Sequence, residues 1–355
     1  MAKYKIRGDT ITFSDYFNEP LNDIILEEIK KYKKVIFGEN FNQSVDNLPS
    51  GITHLIFSNK FNQPIDNLPN SLIDLTLGNY FNQSVDFLPD GLKDLHFGNE
   101  FNRNIDNLPS NLNRLSFGTN FDKPIDNLPF RLTHLWFPKF SVFNRRVDNL
   151  PSNLTTLKFG DQFDQPVNNL PFGITYLHFG KFFNQEINKL PWGVYYDGEK
   201  NDFVTFGVKQ LVLGENFSQS LYSLPNSITH LTTGNRFYGN IHLLPTNITH
   251  LFFRDFYNNS SIRKGILPKN LTHLKFGANF NEPIEDLPDS ITHLEFGQKF
   301  NQPIDNLSDN IVFLRLPSGY NKKISKLPSS LQVLYYDDLL VDVKTAFGSV
   351  IAMEV

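Results

Sequence analysis

A unit of twenty residues recurs from Phe17 almost to the C-terminus of this 355-residue chain. It reads most cleanly as Phe-Asn-Gln-Pro-Ile-Asp-Asn-Leu-Pro-x-x-Leu-x-x-Leu-x-Phe-Gly-x-x. Its anchor aromatic falls at Phe17, Phe41, Phe61, Phe81, Phe101, Phe121, Phe143, Phe163 and Phe183, and resumes at Phe217, Phe237, Tyr257, Phe280, Phe300 and Tyr320. A Leu-Pro pair follows at a fixed offset, from Pro49 and Pro69 through to Pro328, and Ser308 breaks that column. A fixed period of this length is the mark of stacked repeats, each touching only its neighbours. A chain of this length would ordinarily suggest two or three domains, but the unbroken period predicts one elongated domain.

Within the unit, Leu-x-x-Leu-x-Phe alternates apolar and variable residues with period two, which predicts a short half-buried strand. In the segment Leu72 to Leu77, Leu75 and Leu77 are expected to face the core, and Asp74 and Thr76 to face solvent. The glycine that usually follows, as at Gly78, Gly98 and Gly118, is expected to supply positive φ or a tight approach. Too few residues remain in each unit for a full helix, so turns or a short 3₁₀ segment should complete the coil. The predicted fold class is a repeat solenoid, mainly β, with a parallel sheet of short strands. At about 4.8 Å per coil, fifteen coils would span roughly 70 Å.

The ends depart from the unit. Leu21 to Lys34 carries Ile25, Ile29 and Tyr32 at helical spacing, which predicts a small helical cap beside a hairpin over Tyr4–Phe13. The expected layout is a cap with a first degenerate repeat over 1–40, repeats over 41–334, and an apolar cap over 335–355. The repeats are interrupted at about 193–207, where Asp197-Gly198 reads as a hairpin turn.

Charge and composition remove several function classes. A net charge of -4 gives no electrostatic footprint for nucleic acid or an anionic membrane. No run approaches the ~20 apolar residues of a membrane span, and the first residues lack a signal-peptide core, so a cytoplasmic location is expected. With no cysteine, disulfides and thiolate metal sites are excluded. No phosphate-binding glycine loop, nucleophile elbow or His-Glu-x-x-His pattern occurs, so neither enzyme activity nor a cofactor is expected.

The variable positions carry what remains. Between the last Leu and Phe of successive strands stand residues such as His96, Trp136, Lys158, His178, Phe252, Lys275 and Arg315, a mixture suited to a protein partner. The neighbouring column holds Tyr176 and, at His54, His134, His230, His250, His273 and His293, six of the chain's nine histidines. Four of these come from consecutive coils, so their rings should stack about 4.8 Å apart. A straight ladder diverges, which argues against a metal site; exposed rings would titrate near pH 6.5. The Asp column from Asp46 to Asp148 is expected to hydrogen-bond its own turns, and the Asn after each anchor to bond neighbouring carbonyls. Trp192, Tyr195, Tyr196 and Phe203 make the interruption a second candidate contact surface.

Phe-Asn-x-Pro-Ile/Val followed by Leu-Pro-x-x-Leu-x-x-Leu-x-Phe-Gly resembles the FNIP-repeat family. The resemblance covers about nine-tenths of the chain. It implies a leucine-rich-repeat-like interaction module of the kind found in social amoebae and their giant viruses, working in the host cytoplasm if viral. Family members often carry an F-box, for which the sixteen residues before Phe17 are too few. A ubiquitin-ligase substrate adaptor, meeting ligase components in trans, is therefore an alternative to a plain protein-binding scaffold. Self-association through the solenoid ends is another.

Overall fold

Each fully described coil places one short strand, one bend and one aromatic anchor at the same level, and in this computed structural model such levels stack within each unit. Residues 3–197, 202–235, 244–254, 265–284, 286–336 and 339–341 are described. The chain separates into two compact units, Met1–Gly180 and Lys181–Val355.

The first unit opens with an antiparallel pair, β1 (Tyr4–Arg7) and β2 (Thr10–Phe13). The expected helix is realised as α1 (Asp23–Ile29), whose Asn22 cap accepts the Ile25 N–H at 3.1 Å. Ile25 and Ile29 bury its inner face. A parallel ladder then runs from β2 through β3 (Lys34–Ile36), β4 (His54–Ile56), β5 (Asp74–Thr76), β6 (Asp94–His96) and β7 (Arg114–Ser116). It continues through β8 (His134–Trp136), β9 (Thr156–Lys158) and β10 (Tyr176–His178).

The second unit carries an antiparallel hairpin, β11 (Trp192–Asp197) with β12 (Asp202–Gly207). Gly193 faces Phe206 across it, and a Cβ on Gly193 would lie 2.2 Å from the Phe206 ring, so the ring occupies the space the glycine leaves. A second parallel ladder runs through β13 (Gln210–Val212), β14 (His230–Thr232), β15 (His250–Phe252) and β16 (His273–Lys275). It continues through β17 (His293–Glu295), β18 (Phe313–Leu316) and β19 (Val333–Tyr336), and β20 (Leu339–Val341) closes it antiparallel. Most of the expected C-terminal cap, and the anchors Phe237 and Tyr257, lie outside the described residues.

The period-two reading holds. Leu75 and Leu77 are buried, and Asp74 and Thr76 stand on the outer face. Behind the strands, phenylalanines fill the coils in two columns. Anchors Phe61, Phe81, Phe101 and Phe121 follow one another at ring-centroid distances of 6.1–6.2 Å, all nearly parallel. The strand-end rings Phe97 and Phe117 lie 3.7 and 3.8 Å from Phe101 and Phe121, the anchors that follow them in sequence. Each fully buried ring contributes roughly 1.5–3 kcal/mol of transfer energy, with stacking adding to it. Turns complete the coils; among the described residues no 3₁₀ segment is present.

Two polar devices differ from expectation, the second only in part. The carboxamide after each anchor accepts a backbone N–H, not a contact with a carbonyl. Asn62 N–H donates to Asn42 Oδ1 at 2.9 Å, Asn82 N–H to Asn62 at 2.9 Å, and Asp122 N–H to Asn102 at 3.0 Å. Only the acceptor oxygen is required, so Asp122 substitutes for Asn and accepts from Asn144 N–H in turn at 3.2 Å. The Asp column serves its own turn, as where Asp86 accepts Ser84 Oγ at 2.7 Å, and also reaches forward. Asp86 and Asp106 accept the Nδ2 of Asn107 and Asn127 in the next coil at 3.1 and 3.0 Å.

The column of glycines works by close approach, not by positive φ. A Cβ on Gly98 would stand 2.1 Å from Gly78 O, and one on Gly118 2.0 Å from Gly98 O. The positive-φ glycines, Gly8, Gly51, Gly207 and Gly265, lie elsewhere.

Candidate functional site: the outer strand faces

Because side chains alternate along a strand, the first and third residues of every three-residue strand project from the sheet while the middle one is buried. Parallel pairing in strict register then aligns these outward residues into two columns per unit.

In the first unit one column runs Thr76, His96, Ser116, Trp136, Lys158 and His178 as cross-strand neighbours. His96 Nδ1 lies 2.7 Å from Ser116 Oγ. Trp136 is half-buried, its indole edge-on to His134 at 5.5 Å. The large exposed apolar area expected of an outward Trp is thus partly covered by its neighbours. Tyr176 OH reaches His178 Nδ1 at 3.4 Å. The second column contains Asp74, Asp94, Arg114 and His134, in which Arg114 approaches Asp94 at 3.6 Å. Burial, then the Arg114 cation, push the His134 imidazole below its ordinary range.

In the second unit His230, His250, His273 and His293 form one continuous stack. Their centroids are 4.0, 4.0 and 4.1 Å apart, with interplanar angles of 17°, 12° and 12°. The rings sit closer than the strand spacing alone implied. Each Nδ1 is 2.9 Å from the hydroxyl of the preceding Thr229, Thr249, Thr272 or Thr292. For Thr249 the alternative acceptor is Thr229 O, which already receives two N–H groups, from Thr249 and His250. The Thr249 hydroxyl thus lies within hydrogen-bond reach of both Thr229 O, at 3.2 Å, and the ring nitrogen. Burial pushes His230 and His273 down, and burial plus the neighbouring rings takes His250 to about 4. The expected titration near 6.5 is accordingly corrected downward for these three.

The other column of this unit aligns Thr232, Phe252, Lys275, Glu295 and Arg315. Glu295 holds Lys275 at 2.9 Å and Arg315 at 4.0 Å, and Arg315 also lies over the Tyr335 ring at 5.9 Å. On the hairpin, Trp192 and Val194 are exposed. Tyr195, Tyr196 and Phe203 occupy hairpin positions whose side chains lie outside the described residues.

Among the described residues no three His, Asp or Glu side chains are grouped to hold a metal ion, and no helix is long and apolar enough to cross a membrane. Sequence reasoning passed over the Asp94–Arg114 and Glu295 ion pairs. Both belong to cross-strand neighbours twenty residues apart, and a period-aligned search for opposite charges in adjacent repeats would have found them.

A family profile described as FNIP Repeat matches residues 41–80, 61–100, 101–140, 143–171, 241–277, 257–299 and 280–319, more than half of the chain. Among solved structures, the giant-virus protein CroV588, described as a novel circular LRR protein, is 34% identical with a TM-score of 0.56. That match covers 94% of this chain and 64% of CroV588, so the chain spans under two thirds of that relative's length. YopM from Yersinia enterocolitica is 19% identical, covers 85% of this chain and 73% of its own, and gives a TM-score of 0.36. A leucine-rich cell surface protein of Faecalibacterium prausnitzii is 12% identical over 99% of this chain and 89% of its own, with a TM-score of 0.22. No curated protein matches the sequence significantly. With twenty-residue units matched along both compact units, stacked as a leucine-rich-repeat-like solenoid, the chain belongs to the FNIP-repeat family.

Proposed function

We propose that the chain is a non-enzymatic scaffold that binds a protein partner through its outer strand faces. The observation that carries this reading is the contrast between the two sides of each strand. Inward positions repeat Leu and Phe, whereas the row Ser116, Trp136, Lys158, His178 sets unlike groups side by side on a rigid backbone. Indole, ammonium and imidazole held without loop entropy suit a protein surface, where aromatic and cationic anchors supply much of the affinity. The exposed Trp192 and Val194 of the hairpin offer a second contact region.

The test is capture from native cell extract with the wild-type chain beside a Trp136→Ala/Tyr176→Ala variant of unchanged melting behaviour. A partner held by wild type and lost by the variant supports the strand face. Equal retention by both removes it.

A further inference from the structure

The residue just before each anchor aromatic forms its own column on the coil surface, away from the strand face. In the first unit it reads Tyr16, Asn40, Lys60, Tyr80. Both tyrosines are strongly exposed, Tyr16 at 77% and Tyr80 at 56%, and neither packs against another ring among the described residues. Three coil steps of about 4.8 Å put them on the order of 14 Å apart along the stack. Between them lies an open trough of about 680 Å³ lined by Tyr16, Asn18, Asn40, Asn42, Lys60 and Tyr80.

The floor of this trough is chemically uniform. Asn18 and Asn42 give their Oδ1 atoms to the next coil, accepting Asn42 N–H at 2.8 Å and Asn62 N–H at 2.9 Å. Their Nδ2 groups donate to no described residue. Asn40 is the converse: its Nδ2 is held by Asp15 O at 2.6 Å, which leaves its Oδ1 as an acceptor. The Lys60 ammonium makes no ion pair among the described residues. Two carboxylates of the preceding coils are already engaged, Asp15 by Glu39 N–H and Glu39 by Asn59 Nδ2.

We propose that this trough is a binding site for a short, carboxylate-bearing oligosaccharide. Sugar rings offer apolar C–H faces to exposed tyrosines and hydroxyls that both donate and accept, which matches amides having one unused donor or acceptor each. Lys60 sits between the two rings and supplies the charge partner for a uronate. A protein partner would need an apolar pocket for an anchoring side chain, and the lining holds no aliphatic residue. A nucleic acid would need several cations along its path, and the lining holds one. The site is separate from the outer strand faces, so it stands or falls independently of the partner reading.

The test is calorimetric titration of the full chain with a trigalacturonate, with maltotriose and cellotriose as neutral comparators. Saturable binding of trigalacturonate is expected, with the Tyr16→Ala/Tyr80→Ala variant at least about tenfold weaker. Lys60→Gln is expected to remove the preference over the neutral sugars while leaving their weaker binding in place. All three substitutions are at exposed or trough-lining positions, and a thermal melt matching wild type confirms that the coils are intact. Absence of saturable binding at millimolar trigalacturonate overturns the proposal, as does equal binding by the double tyrosine variant. Neutral sugars binding as tightly as the acidic one would overturn the role of Lys60 and the carboxylate.

Discussion

Acid should loosen the second unit through its histidine stack, and the size of the effect follows from the geometry. Two imidazolium charges at the 4.0 Å separation of His250 and His273 repel by about 1 kcal/mol in water and about 4 kcal/mol at an effective dielectric near 20. The only carboxylate on the adjacent outward column of these strands, Glu295, is held by Lys275 and Arg315, so it offers little to favour imidazolium. Burial first, then the charges of His230, His273 and His293, take His250 from its ordinary 6.5 to about 4. A depressed histidine binds its proton more readily when unfolded. Its contribution to stability is therefore full above pH 6.5 and is lost as pH falls toward 4.

The shift corresponds to a ceiling of about 3 kcal/mol, which solvent screening of a part-buried ring reduces to about 1–2 kcal/mol. Urea melts at pH 7 and pH 4.5 of wild type and His250→Gln isolate this share, since carboxylate losses are common to both proteins. Wild type should lose about 1–2 kcal/mol more than the variant across that interval. Equal losses would refute the argument, as would an NMR midpoint near 6.5 for the His250 ring.

Two further predictions concern the contacts between coils. Gly98→Ala drives a Cβ to 2.1 Å from a backbone oxygen and should cost at least about 1–3 kcal/mol, whereas Gly91→Ala, whose nearest atom is at 3.1 Å, should cost much less; paired urea melts give the comparison. Asn102→Ala orphans the half-buried Asp122 N–H and should cost about 1–3 kcal/mol, while Asn102→Asp keeps the acceptor and should stay near wild type in the same melts.

What the sequence made legible was everything decided within one coil. The alternation around Leu75, the inward Phe anchors and the outward histidine column follow from period two inside a period of twenty. What it hid depends on how one coil sits on the next. The Gly98 requirement comes from the position of Gly78 O, and the Asn102 requirement from an N–H one coil ahead. Neither partner is encoded near the residue it constrains. The trough between Tyr16 and Tyr80 was hidden for the same reason, since three ordinary-looking repeats must be superposed before two distant tyrosines share a column. The histidine stack was visible as a column, but its proton affinity required the burial and the separation of the rings.

The glycine column also limits how such a gene can change. Along most of the stack, a carbonyl of one coil rests against a bare Cα of the next, as Gly78 does on Gly98 and Gly98 on Gly118. Copying or deleting a whole unit presents the same backbone pair to the next coil, so unequal recombination can lengthen or shorten the array while keeping this carbonyl-on-glycine contact. Adding a few codons between strand and anchor is tolerated where that contact is kept. Where two residues have been added, between Phe137 and Phe143, Pro138 replaces the glycine, and its carbonyl still lies where a Cβ on Gly160 would meet it at 2.3 Å. Heredity in such a chain works in steps of sixty nucleotides, and smaller edits survive where the loops, such as the hairpin of β11 and β12, carry them off the stack.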